Sequence, residues 1–118
     1  MKNTDLQYSL QQVMELVGND KEMLLTLLQL FITNSTTSLN EISKALTEND
    51  LQNVKKHAHK IRPSCKIFGM YKIAEDFATI EALSEEKKNT IKIIEMYNEI
   101  NTKMLQIICE LKEYIKTI

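Results

Sequence analysis

Turn-forming and cross-linking residues are scarce in this chain. Its 118 residues include two glycines, one proline and two cysteines. So few glycines and prolines argue against a β-fold rich in tight turns, and an all-helical chain is expected. Cys65 and Cys109 have neither the number nor the spacing of a disulfide scaffold or a zinc motif. A reduced, cytoplasmic setting follows as the simplest expectation. No apolar run approaches the ~18 residues that span a bilayer, and residues 1–6 hold no apolar signal core. Charge of one sign is missing too. Fifteen Lys and Arg face 16 Asp and Glu, a net charge of -1, which gives no general basic surface for nucleic acid. Gly18 and Gly69 stand far apart, so there is no glycine-rich phosphate loop. A serine-hydrolase elbow and a Cys-x-x-Cys pair are absent as well.

What is present is a composition of 43% apolar and 26% charged residues, that of one folded domain over residues 1–118. Apolar residues recur at helical spacing. A short first helix starts at Asp5 or Ser9, places Leu6, Leu10, Val13, Met14 and Val17 together, and ends at Gly18. Asp20 then caps a helix over residues 21–47, with Leu24, Leu27, Leu28, Phe31, Ser35, Leu39, Ile42 and Leu46 in one sector. Leu25 and Ile32 flank that sector, and read either as a wide core face or as a partner-docking patch. Asp50 caps a third helix over residues 51–68. A fourth covers residues 71–84, with Ile73, Ala74, Phe77, Ile80, Glu81 and Leu83 inward. The charged run 85–89 reads as a solvated loop. Thr90 caps a fifth helix over residues 91–117. Its seams are Ile94, Tyr97, Met104, Ile108, Leu111 and Ile115, and beside them Ile93, Ile100, Ile107 and Tyr114. Short connections favour an antiparallel up-down-up-down four-helix bundle with a short extra N-terminal helix.

The third helix holds both histidines and the only proline. At 100° per residue, His59 points about 140° away from the apolar face of Leu51, Val54, Ala58, Ile61, Cys65 and Phe68. Lys55, Lys56, Arg62, Pro63 and Lys66 fall within about 60° of it. Positive neighbours disfavour a further positive charge on the ring, leaving a nitrogen lone pair available. They also favour an anion placed on that nitrogen, such as a phosphoryl group. A solvated basic face with an incidental histidine is the plain alternative. Pro63 withdraws the helical hydrogen bond to the carbonyl of His59, at a cost of roughly 3 kcal/mol. His57 lies about 160° from His59, so the His-x-His pair cannot converge on a metal ion, and no metal site is expected.

The run Ala58-His59-Lys60-Ile61-Arg62-Pro63-Ser64-Cys65-Lys66-Ile67-Phe68-Gly69-Met70 resembles the signature of histidine-containing phosphotransfer (HPt) domains. That signature reads Ala-His-x-Leu-Lys-Gly-Ser and then Gly-Ala. His59 stands at the phosphorylated histidine, Arg62 at the basic position, Ser64 at the serine and Gly69 at the later glycine. Pro63 departs from the usual glycine, although both lack a bulky flexible side chain and allow close approach. Upstream, Gly18-Asn19-Asp20-Lys21-Glu22-Met23 is similar to the entry of the family's first long helix.

The resemblance implies a carrier rather than an enzyme. A response-regulator receiver domain bearing phosphoaspartate and Mg²⁺ docks beside His59, and the Nε2 nitrogen takes the phosphoryl group. A second receiver's aspartate then receives it. Arg62 and Lys66 steady phosphoryl oxygens, with Lys55 and Lys56 further out. Leu25 and Ile32 touch the receiver if the second helix lies beside the His59 face. The chain is expected to be a monomer with no cofactor of its own and to meet neither membrane nor nucleic acid. A hybrid histidine kinase is a further candidate partner. A helical module that binds receivers or a kinase without transfer is the competing function. A metal-binding or DNA-binding helical domain fits least well.

Overall fold

A computed structural model describes residues 8–118. Asp5 and Leu6, expected in the first helix, lie outside these residues. The elements are α1 (Gln11–Val17), α2 (Lys21–Thr47), α3 (Leu51–Ile67), α4 (Tyr71–Glu86) and α5 (Thr90–Ile115), with no strand among the described residues. Helices α2 to α5 form a closed ring of neighbours, α2 on α3, α3 on α4, α4 on α5 and α5 back on α2. The short α1 packs against α2. This is the expected four-helix bundle with its extra N-terminal helix.

The connections explain the short loops. Asp20 accepts a hydrogen bond from the Met23 amide, and Asp50 from the Asn53 amide, each satisfying an orphan donor of the first helical turn. At the start of α5 the cap is Asn89, which accepts from the Lys92 amide, and not Thr90 as expected; Thr90 is already helical. The expected charged loop at residues 85–89 is shorter, because α4 continues through Glu85 and Glu86 before Lys87 turns left-handed at φ 55°. That extra half-turn brings Glu85 within 2.9 Å of Lys55 on α3.

The core is filled from all five helices. Val13, Leu28, Ile42, Val54, Ala58, Cys65, Phe77, Ile80, Ile93, Met104 and Leu111 are fully buried. Each large apolar side chain removed from water contributes about 1.5–3 kcal/mol. Phe31 of α2 meets Phe68 at the end of α3 with ring centroids 4.3 Å apart, which ties those two helices near the α3–α4 turn. Tyr97 of α5 donates its hydroxyl to the Leu39 carbonyl of α2 at 2.6 Å. Burial pushes the Tyr97 phenol up to about 12 and the Cys65 thiol up to about 12, so both remain protonated and act as packing groups. On α5 the buried stripe runs between the two expected seams, through Ile93, Tyr97, Ile100, Met104, Ile107, Ile108 and Leu111. Ile94 is consequently exposed, contrary to its placement in a seam.

Gly69 has a specific backbone duty. The Met70 amide bonds the Cys65 carbonyl at 2.8 Å and the Gly69 amide the Lys66 carbonyl at 3.0 Å, a Schellman ending with Gly69 at φ 72°. The N-terminal segment crosses this turn, where the Ser9 amide bonds the Phe68 carbonyl at 2.8 Å. A Cβ on Gly69 would lie 2.7 Å from the Ser9 nitrogen, so an added methyl displaces backbone as well as straining φ. Gly69→Ala should lower stability by about 1–3 kcal/mol and expose the segment before α1 to protease. An unchanged Tm with an unchanged cleavage pattern would contradict this account of the turn.

Candidate functional site

His59 projects from the middle of α3, and its side chain is 74% exposed, as its place on the helix predicts. The surroundings are less purely cationic than the α3 sequence suggests. Glu81 reaches across from α4, and its two carboxylate oxygens divide between two α3 side chains. Oε1 lies 2.9 Å from His59 Nδ1, and Oε2 pairs with the Arg62 guanidinium. Glu81 is only 13% exposed, so its charge depends on these partners. An ionised carboxylate only accepts hydrogen bonds. A neutral His59 ring in this contact carries its hydrogen on Nδ1, which leaves the lone pair on Nε2.

Glu81 is the functional residue that sequence reasoning missed. It was placed on the inward face of α4 without a role. The available signal was that placement itself, since a carboxylate among Ile73, Ala74, Phe77 and Ile80 requires a cation or donors from a neighbouring helix.

The other site candidates separate into groups. Arg62 is half-buried and engaged with Glu81, and its Nε is buried without a partner. It holds Glu81 through Nη1, so Nη2 is the one guanidinium nitrogen neither paired nor buried. Lys55 is engaged with Glu85. Lys56 and Lys66 are exposed, with no carboxylate within ion-pair distance among the described residues. Pro63 is exposed and sits inside an unbroken helix. Ser64 is half-buried. Gly69 makes its close approach to the chain's own Ser9.

Leu25, Ile32 and His57 sit away from His59 on the bundle. Leu25 and Ile32 are both half-buried, and Ile32 packs on the core. On α2 they share a flank with Leu39, which meets α5 through Tyr97. The opposite flank carries Glu41, whose Oε1 lies 3.9 Å from His57 Nε2 on α3. Helical geometry therefore turns Leu25 and Ile32 toward α5 and away from the His59 face. His57 keeps its separation from His59. It faces α2, largely buried, with Nδ1 unpartnered. No group of three or more potential metal-ligating side chains occurs among the described residues, and no helix among them is long and apolar enough to cross a membrane.

The tautomer is directly measurable. Long-range ¹⁵N–¹H correlation spectra should show His59 as the Nδ1–H form in the native protein, and Glu81→Ala should shift it toward Nε2–H. A native His59 already in the Nε2–H form would overturn the assignment.

Against known proteins, the Hpt domain family model matches residues 26–117. The solved structure of histidine-containing phosphotransfer protein B (HptB) from Pseudomonas aeruginosa PAO1 superposes with a TM-score of 0.81. It is 15% identical and covers 97% of this chain and 98% of that one, a likeness of fold. No curated protein matches the chain. The family match spans most of the described bundle and includes α3 with its exposed histidine, so the chain belongs to the Hpt domain family, the phosphotransfer carriers of phosphorelays.

Proposed function

We propose that His59 is the phosphoacceptor, loaded from the phosphoaspartate of a response-regulator receiver domain and unloaded onto the aspartate of another. The observation that carries this reading is the Glu81 contact at His59 Nδ1. It leaves one nucleophilic nitrogen, oriented outward on a side chain that a partner can reach. In the transfer, the Nε2 lone pair forms a bond to phosphorus as the acyl-phosphate P–O bond breaks. The receiver's aspartate leaves as a carboxylate. The imidazole gains positive charge, which the Glu81 carboxylate opposes at Nδ1, in the manner of an acid that steadies a catalytic imidazolium. Mg²⁺ held by the receiver would supply charge neutralisation for the transferring oxygens. The chain itself holds the acceptor and supplies no cofactor.

Among the cations, Lys66 and Lys56 are the ones with free ammonium groups near the phosphoryl position. Arg62 acts first through Glu81, and Lys55 contributes when it leaves Glu85. Pro63 and Ser64 lie on the His59 segment that a receiver covers, Ser64 at its border. We assign the whole chain to this one role, as a monomer in the cytoplasm, fed from the receiver of a hybrid kinase or from a free receiver.

Incubation with a phosphorylated receiver should place an acid-labile phosphate on the protein, and His59→Gln should abolish it. Labelling that persists in this variant would sink the assignment. Glu81→Gln keeps an acceptor near Nδ1 but loses the charge. It should slow transfer by roughly ten- to a hundredfold, or about 1.4–2.7 kcal/mol in the barrier. Transfer at the parent rate in Glu81→Gln would show that the carboxylate is structural only.

A further inference from the structure

Proline has no amide hydrogen, so Pro63 leaves the carbonyl oxygen four residues earlier without its helical donor. That oxygen belongs to His59. Helix α3 nonetheless runs unbroken from Leu51 to Ile67. Side-chain donors do not fill the gap. The side-chain hydrogen bonds to backbone carbonyls among the described residues end on Thr33, Leu39, Ser43, Glu75, Asn98 and Tyr114. Both His59 and Pro63 are exposed, and they lie about 40° apart on the helix. A helical carbonyl points toward the residue four positions on, and the proline ring crowds it outward. Without its i+4 donor and with no side-chain donor among the described residues, this oxygen is turned toward the face that carries Nε2, within one turn of it.

We infer that the His59 carbonyl oxygen is a second recognition point for the receiver. On docking it accepts a hydrogen bond from a donor on the receiver's contact surface, and Pro63 is the positioning residue that keeps it available. The inference rests on the proposed function, since it needs the receiver as partner. Its advantage is geometric. A bond to the backbone of the very residue whose side chain reacts fixes the distance between the donor's phosphorus and Nε2, where small misplacements are costly in rate. A residue with an amide hydrogen at position 63 would turn that oxygen back into the helix.

The test uses the fact that the chain has only two histidines. Labelling with [1-¹³C]histidine gives two carbonyl signals, distinguished with His57→Gln. Adding the receiver that loads His59, held in its activated form with beryllofluoride, should move the His59 signal and leave that of His57 in place. Pro63→Ala should raise Tm yet slow receiver-dependent transfer three- to tenfold, the range for one lost intermolecular hydrogen bond, mainly through KM. Labelling by phosphoramidate, in which Nε2 bonds phosphorus and ammonia leaves, needs no docking and should proceed at the parent rate. Parent-rate transfer in Pro63→Ala overturns the inference. So does slowed transfer with an unmoved His59 carbonyl signal, which would assign the effect to the proline ring alone. In either case His59 still becomes labelled and the proposed function stands. If neither receiver nor phosphoramidate labels His59, that function fails and the inference falls with it.

Discussion

One carboxylate organises the face that carries His59. Glu81 bridges from α4 to two α3 side chains, and both of its oxygens are committed. A carboxylate so withdrawn from water is stable only when its partners are in place, and removing one partner of such a pair typically costs about 3–5 kcal/mol. The bridge in turn requires α3 and α4 to sit at one register. That register is held by the Gly69 turn between them and by Ile61, Cys65, Ile73 and Phe77 in the core below. Packing of the bundle thus reaches the exposed His59 ring through a single acidic side chain. The imidazole remains open to a partner while its other nitrogen is held.

Helix α3 serves two neighbours with two histidines. His57 leans toward α2 and Glu41, and His59 toward α4 and Glu81. The separation follows from helical geometry, in which residues two apart point in nearly opposite directions. It explains why the two rings of the His-x-His sequence do not converge. One ring is taken into the α2–α3 seam, and the other is left exposed. The cations of the same helix divide similarly. Arg62 and Lys55 are drawn toward carboxylates of α4, whereas Lys56 and Lys66 face solvent.

The parts of this arrangement that were legible in the sequence are those governed by local rules. Asp20 and Asp50 announce helix starts because a short acceptor before an apolar period satisfies the first amides. The exposure of His59 follows from periodicity alone. The parts that were not legible depend on how helices meet. The role of Glu81 requires the α3–α4 register, which no spacing within α4 contains. Which way Leu25 and Ile32 face depends on the orientation of α2, set by Glu41 on one flank and Leu39 on the other. Ile94 was misplaced because α5 turns the gap between its two seams to the core. Thr90 and Asn89 are both competent caps, and the left-handed backbone of Asn89 decided between them.

The central claim is that Nε2 of His59 carries the phosphoryl group while Glu81 holds Nδ1. The most direct measurement is a ³¹P–¹⁵N coupled spectrum of ¹⁵N-histidine-labelled protein loaded by a phosphorylated receiver at neutral pH. The account predicts coupling of phosphorus to Nε2 of His59, with the hydrogen retained on Nδ1. Coupling to Nδ1, or to either nitrogen of His57, would contradict it.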